Sequence, residues 1–241
     1  MAKGGGKVPS KKASQANVDA FLEKARLTPG GKKTGRPGRP GRLMFAMDAT
    51  ASREPTWDMA ARIQGEMFRE TAALGGLEIQ LAYYRGFGEF KAGQWTADEK
   101  TLLRQMTSVF CLAGETHIER VLAHAIDETR ERKINALVFV GDCFEEDIDE
   151  VGKTAGELGL MGVPVFMFHE GADPIAAFAF QQIAKLTNGA YCQFDANSAQ
   201  VLKDLLGAVA VYAAGGPPAL EDMARKRGGE VLKLVHQVKG G

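Results

Sequence analysis

The sequence predicts an α/β protein: a doubly wound, mostly parallel sheet with helices on both faces and one antiparallel edge strand. Three observations lead there. Leu43–Met47, Ala136–Gly141 and Val163–Phe168 are short, continuous apolar runs, as expected of strands buried on both faces of a parallel sheet. Segments with helical spacing lie between the strands, so strand and helix alternate. Two of the runs close on an aspartate, Asp48 and Asp142. In such sheets ligands gather at the carboxyl ends of the strands.

The 241 residues suffice for one sizeable domain with tails. An apolar content of 45% and a charged content of 25% are those of a globular protein. No apolar run approaches the ~20 residues a membrane crossing needs, and no apolar h-region follows the N-terminus, so neither a span nor a secretory signal is expected. The three cysteines, Cys111, Cys143 and Cys192, are widely spaced and odd in number. That pattern points to a reducing cytoplasm, with no disulfide partner and all three thiols buried and chemically bland. Zero net charge conceals an asymmetry: residues 1–42 hold eleven Lys and Arg against two Asp and Glu, and the remainder is acidic. The expected organisation is a basic, largely disordered arm (1–42), a folded domain (43–213) and a helical or extended extension (214–241).

Within the arm, Asn17–Arg26 can place Val18, Phe21, Leu22 and Ala25 on one face of a short helix that needs a surface to dock on. The arm as a whole suits a fold-back onto its own acidic domain, an acidic partner surface or a nucleic acid. After the first strand, Pro55 suits the first turn of a helix that carries Ala60, Ile63, Met67 and Leu74 inward and stops at Gly75-Gly76. Leu77–Tyr84 and Phe90–Trp95 read as an antiparallel edge hairpin through R-G-F-G-E. Thr96-Ala97-Asp98 caps a helix with Leu102, Leu103 and Met106 inside, and Ile118–Arg132 keeps strict helical spacing. Ala136–Gly141 is the next buried strand, Asp147–Met161 a helix closed by Gly162, and Val163–Phe168 a strand leading to a helix that ends at Leu186. Asn188-Gly189 turns into the short strand Ala190–Phe194, and Ser198–Ala213 is an amphipathic helix. Beyond it, Ala219–Arg227 reads as helix and Val231–Val235 as extended. The sum is a six-stranded Rossmann-like sheet.

If the strands ending at Asp48 and Asp142 are neighbours, their connections diverge and a crevice opens at that switch point. Asp48, Thr50 and Ser52 on the first loop, Thr116 on G-E-T-H-I, and Asp142 would line it with two carboxylates and three hydroxyls. Such an all-oxygen set suits Mg²⁺ or Mn²⁺, with part of the shell left to water or a ligand.

These motifs, D-A-T-A-S after a buried strand, G-E-T-H-I, a strand closing on Asp142, and the late T-N-G-A-Y turn, resemble von Willebrand factor A (VWA) domains over roughly Arg42 to Ala213. The resemblance implies a metal-ion-dependent adhesion site. Thr50, Ser52 and Thr116 would supply hydroxyl ligands, Asp48 and Asp142 would bind the metal directly or through water, and a partner's Asp or Glu would complete the shell. Thr50 stands where serine is usual, and Asp142 is followed by Cys-Phe where glycine is common. The function implied is a metal-dependent protein-interaction module, not an enzyme. Glu145 is a candidate partner contact, as are Trp57 and Phe144 if they are exposed beside the loops; packing in the core is the favoured reading of the two rings.

The rival enzyme reading is a resemblance to haloacid dehalogenase phosphatases, with Asp48 as nucleophile and Asp142 and Asp147 holding Mg²⁺. Against it, Thr50 occupies the usual place of a second aspartate, and a helix begins at Pro55 where that superfamily inserts a hairpin flap. No G-x-G-x-x-G, P-loop or H-E-x-x-H motif is present. His169-Glu170 ends a strand on the site's side of the sheet and reads as loop packing; Glu145-Glu146-Asp147 can extend the site's negative rim but reads rather as the acidic start of the next helix.

Overall fold

Strand β1, Gly41–Asp48, is buried along its whole length at the centre of a six-stranded sheet. The computed structural model describes residues 40–71, 76–194 and 199–227. A 3₁₀ turn (Ala51–Arg53), α1 (Glu54–Ile63) and α2 (Gly65–Thr71) follow β1. Then come β2 (Leu77–Arg85), β3 (Glu89–Ala92), α3 (Glu99–Thr107), α4 (Ile118–Glu131) and β4 (Ala136–Gly141). The chain ends with α5 (Ile148–Leu160), β5 (Val165–Glu170), α6 (Pro174–Leu186), β6 (Ala190–Phe194) and α7 (Ala199–Arg227). The spatial order is β3-β2-β1-β4-β5-β6. Only β3 runs antiparallel to its neighbour, so the doubly wound sheet with one antiparallel edge is as the sequence predicts.

The alternation of side chains along β1 divides the core. Leu43, Phe45 and Met47 pack with Trp57 and Ala60 of α1, Met67 of α2, Leu102 and Met106 of α3, and Leu202, Leu205 and Val209 of α7. Met44 and Ala46 face the other way, onto Ile118, Val121 and Leu122 of α4, Val151 and Leu158 of α5, and Phe180 and Ile183 of α6. Each large apolar side chain removed from water in this way contributes about 1.5–3 kcal/mol. The helices begin where their caps direct. Asp98 accepts from the Thr101 amide, Asp147 from those of Asp149 and Glu150, and Asp173 from that of Ala176. No helix among the described residues is long and apolar enough to cross a membrane.

Several boundaries differ from the expectations. Gly41 and Arg42, assigned to the arm, belong to β1. Arg42 is buried because its guanidinium lies 3.7 Å over the Trp95 ring and bonds Glu128 at 3.0 Å. The helix expected from Pro55 to Leu74 is divided near Gln64-Gly65, where a Cβ on Gly65 would meet the Glu99 side chain. Trp95 leaves the edge strand to donate its indole N–H to Glu128 at 2.7 Å, so β3 ends at Ala92. The last helix continues past Ala213 to Arg227 with a break at Gly216 (φ 70°), ahead of Pro217 and Pro218. Of the three cysteines only Cys192 is buried; Cys111 and Cys143 are half-buried. The expected features at Asn17–Arg26, Leu74-Gly75 and Val231–Val235 lie outside the described residues.

Candidate metal centre

Strands β1 and β4 are adjacent, and Met47 pairs in register with Val140. Asp48 and Asp142 therefore emerge side by side at the carboxyl edge. The chain then passes to α1 on one face and to α5 on the other, which makes this edge the switch point. Asp48 has no exposed surface. One carboxylate oxygen accepts the Thr50 amide at 2.7 Å, the turn by which an Asp folds the chain back on itself, and the other accepts the Tyr84 hydroxyl at 3.2 Å. Ser52 is exposed and donates to Asp142 Oδ2 at 3.0 Å, and its Oγ lies 3.4 Å from Thr50 Oγ1. A chain of hydrogen bonds through Thr50 and Ser52 thus joins Asp48 to Asp142 across the crevice.

The charges here are uncomfortable without a cation. Burial, with the nearby Asp142 charge adding to it, pushes the Asp48 carboxyl from 3.8 up to about 6, against the pull of the two Thr50 hydrogen bonds. Asp142 Oδ1 is buried and has no hydrogen-bond partner among the described residues. Asp48, Asp142 and Cys143 present one ligand atom each, all within 4.8 Å of one another. Burial and the Asp142 charge raise the Cys143 thiol to about 12, so it is protonated at neutral pH and a poor ligand. Hard oxygens around an unpaired carboxylate oxygen fit Mg²⁺ or Mn²⁺.

Thr116 is buried, and its contacts are with the Asp142 loop. Its hydroxyl accepts the Glu145 amide at 3.0 Å and its amide donates to the Glu145 carboxylate at 3.3 Å. Glu146 takes the first amides of α4, Ile118 at 2.6 Å and Glu119 at 2.9 Å. Of the acidic run, then, only Asp147 serves the helix that follows, while Glu145 and Glu146 tie the two site loops together. The segment before Thr116 is fixed as well. The Leu112 amide donates to the Ala49 carbonyl at 3.0 Å, and Gly114 passes so close to Gly86 that a Cβ would fall 2.0 Å from its carbonyl oxygen.

Trp57 and Phe144 take the buried alternative and are not contact residues. Trp57 is 3% exposed with its indole N–H on the Met106 carbonyl, and Phe144 is 7% exposed within the second core. Both rings are worth more to the core than to the surface. Phe87, Phe110 and Leu112 are large apolar side chains left exposed, at 83%, 59% and 39%. They lie on two loops joined by the Gly86 amide to the Leu112 carbonyl. Sequence reasoning also missed Tyr84 and Arg53, and read Glu170 only as loop packing. Arg53 is fully buried; its guanidinium pairs with Glu170 at the end of β5 and reaches within 4.0 Å of Asp142 Oδ1. Glu170 was within reach of the same rule that flagged Asp48 and Asp142, since it too closes an apolar strand.

This is the VWA-like α/β fold. It is similar to the vWF domain of the type V pili tip protein Mfa5 from Porphyromonas gingivalis, with a TM-score of 0.58 and 9% identity over 74% of this chain and 97% of that one. It is similar also to the SpRpn10 VWA domain (TM-score 0.54, 14% identity, 74% and 98% of the two chains). A third likeness is to the D319A mutant of the PilB minor pilin from Streptococcus sanguinis (TM-score 0.58, 9% identity, 74% of this chain). The match spans 62% of that pilin chain. At these identities the likeness is one of fold. No protein-family model matches the sequence, and no curated protein matches it.

Proposed function

We propose that this chain is a divalent-cation-dependent protein-interaction module whose partner contributes a carboxylate. The observation that carries the reading is the polar chain from Asp48 through Thr50 and Ser52 to Asp142, ending on a buried carboxylate oxygen with no hydrogen-bond partner among the described residues. Asp48 and Asp142 would hold Mg²⁺ or Mn²⁺, with Thr50, Ser52 and Thr116 as hydroxyl donors. The bound ion supplies an open position for an anionic oxygen. Ser52 and Asp142 form the exposed side of the site, where a partner's Asp or Glu would enter. Phe87, Phe110 and Leu112 offer exposed apolar surface on loops bonded to the metal loop, as interaction surfaces do. A phosphatase role is favoured less, because Asp48 is wholly buried with both oxygens bonded and Asp147 is committed to capping α5.

Calorimetric titration of Mg²⁺ and Mn²⁺ into the wild type and Asp142→Ala, with a phosphoester assay on both, tests this. Saturable binding that the substitution abolishes, without turnover, is the expected result. An absence of cation binding in the wild type overturns the metal site, and turnover that the substitution removes establishes the enzyme reading instead.

A further inference from the structure

We infer that Glu170 sets the cation affinity of this site by holding the Arg53 guanidinium off Asp142, an inference that rests on the cation-site reading above. Arg53 is 1% exposed and follows Ser52 directly on the 3₁₀ turn, so its side chain is anchored from inside the metal loop. Its Nη1 donates to Glu170 Oε2, which also accepts the Thr56 hydroxyl from the first turn of α1. On the other side, Arg53 Nε stands 4.0 Å from Asp142 Oδ1. That is close enough for strong attraction and too far for a hydrogen bond.

The atoms facing each other across that gap are unsatisfied. Arg53 Nε and Nη2, and Asp142 Oδ1, are buried without hydrogen-bond partners among the described residues. A movement of about 1 Å would close the gap into a charge-assisted bond and satisfy a donor and an acceptor together. Glu170, which anchors Nη1 on the far side of the guanidinium and is itself held by the Thr56 hydroxyl, opposes that movement. The stand-off leaves Asp142 Oδ1 open.

The charge balance gives the arrangement its effect. With Glu170 ionised, Arg53 and Glu170 form a neutral pair, and Asp48 and Asp142 present two negative charges to a divalent ion. Without the Glu170 charge, Arg53 becomes a free cation beside Asp142 and competes for the same carboxylate oxygen. Glu170 thus acts through Arg53; it is a positioning residue, not a ligand.

Mg²⁺ and Mn²⁺ titrations of three proteins decide the matter: wild type, Glu170→Gln, and Arg53→Met with Glu170→Gln. Glu170→Gln keeps the shape and an acceptor for Thr56 while removing the charge. It is expected to weaken cation affinity by about tenfold or more. The double substitution removes the competing cation as well, and affinity is expected to return to within about threefold of the wild type. A merely structural pair would not show this rescue; the double variant would be as weak as the single one or weaker. A crystal structure of Glu170→Gln without divalent ions supplies a readout that needs no cation binding: the gap between Arg53 Nε and Asp142 Oδ1 should close to hydrogen-bond length. Should Glu170→Gln not fold, Thr56→Val loosens the same anchor and should weaken cation binding in the same direction. Wild-type affinity in Glu170→Gln, an unrescued double variant or an unchanged gap overturns the inference. Failure of the wild type itself to bind either ion refutes the cation site, a different result from any of these.

Discussion

Replacing Asp48 by Asn in protein stripped of divalent ions isolates the energetic cost of building this site. The carboxyl has no exposed surface and is raised by burial from 3.8 to about 6. A shift of about two units corresponds to about 3 kcal/mol spent on keeping the group ionised at neutral pH. Asparagine keeps the size and the acceptor for the Thr50 amide but places an amide nitrogen where Asp48 accepts the Tyr84 hydroxyl, which offsets about 1–2 kcal/mol. The net expectation is that Asp48→Asn is more stable than the wild type by about 1–2 kcal/mol at pH 7 in chelator, or about 3–6 °C in Tm for a domain of this size. The pH dependence has a definite sign. Because the folded state holds this proton more tightly than the unfolded state, wild-type stability falls as pH rises from about 4 to about 6 and is flat above. The advantage of the variant should therefore shrink as pH falls below 6. Adding Mg²⁺ should reverse the order by stabilising the wild type alone. Differential scanning calorimetry across pH 4–8, with chelator and then with Mg²⁺, measures all of this. A variant no more stable than the wild type in chelator at pH 7 would refute the burial argument.

Other substitutions test separate parts of the structure. Glu146→Ala strips the acceptor from the Ile118 and Glu119 amides at the start of α4 and should cost about 1–2 kcal/mol in a urea titration; an unchanged midpoint refutes the capping role. Gly114→Ala puts a methyl group 2.0 Å from the Gly86 carbonyl oxygen. It should destabilise by about 1–3 kcal/mol and speed hydrogen exchange at the Glu115 amide, while wild-type exchange there would mean the loop tolerates separation. Cys143 is half-buried with its thiol raised to about 12, chiefly by burial. Its alkylation at pH 8 should run at least about tenfold slower than that of a free thiol, and mass spectrometry showing equal rates would contradict that environment.

The parts of this fold legible in the sequence are those that repeat a simple pattern. Strands with no polar residue between Leu43 and Met47, or between Ala136 and Val140, can sit only inside a covered sheet, and the aspartates closing them mark the edge where ligands meet. The cap at Asp98 was legible because the side chain acts within its own turn. Arg53 was not, because a charge on a loop reads as solvated; its pairing with Glu170, 117 positions away, makes both burials tolerable. Glu145 and Glu146 were assigned to the wrong helix for a related reason. An acidic run before a helix suits its dipole, and nothing local reveals that two of its carboxylates turn toward α4 instead. Trp57 and Phe144 illustrate the converse: a ring near a functional loop carries no mark of exposure, and the core claims both. The break at Gly216 separates the two helical stretches read at Ser198–Ala213 and Ala219–Arg227, yet the chain resumes its helix at once and buries Leu220 beneath it.

The Glu146 carboxylate carries a consequence for what this crevice can receive. In sheets of this winding, the first free amides of a helix facing the switch point are a natural seat for a phosphate. Here that seat is already filled from within, at 2.6 and 2.9 Å, by a group carrying the same sign of charge as a phosphate. A nucleotide approaching α4 would have to evict Glu146 and meet its negative charge on the way. The architecture that elsewhere serves coenzymes is closed to them at this helix, and the open chemistry of the crevice is left to the oxygens between Asp48 and Asp142.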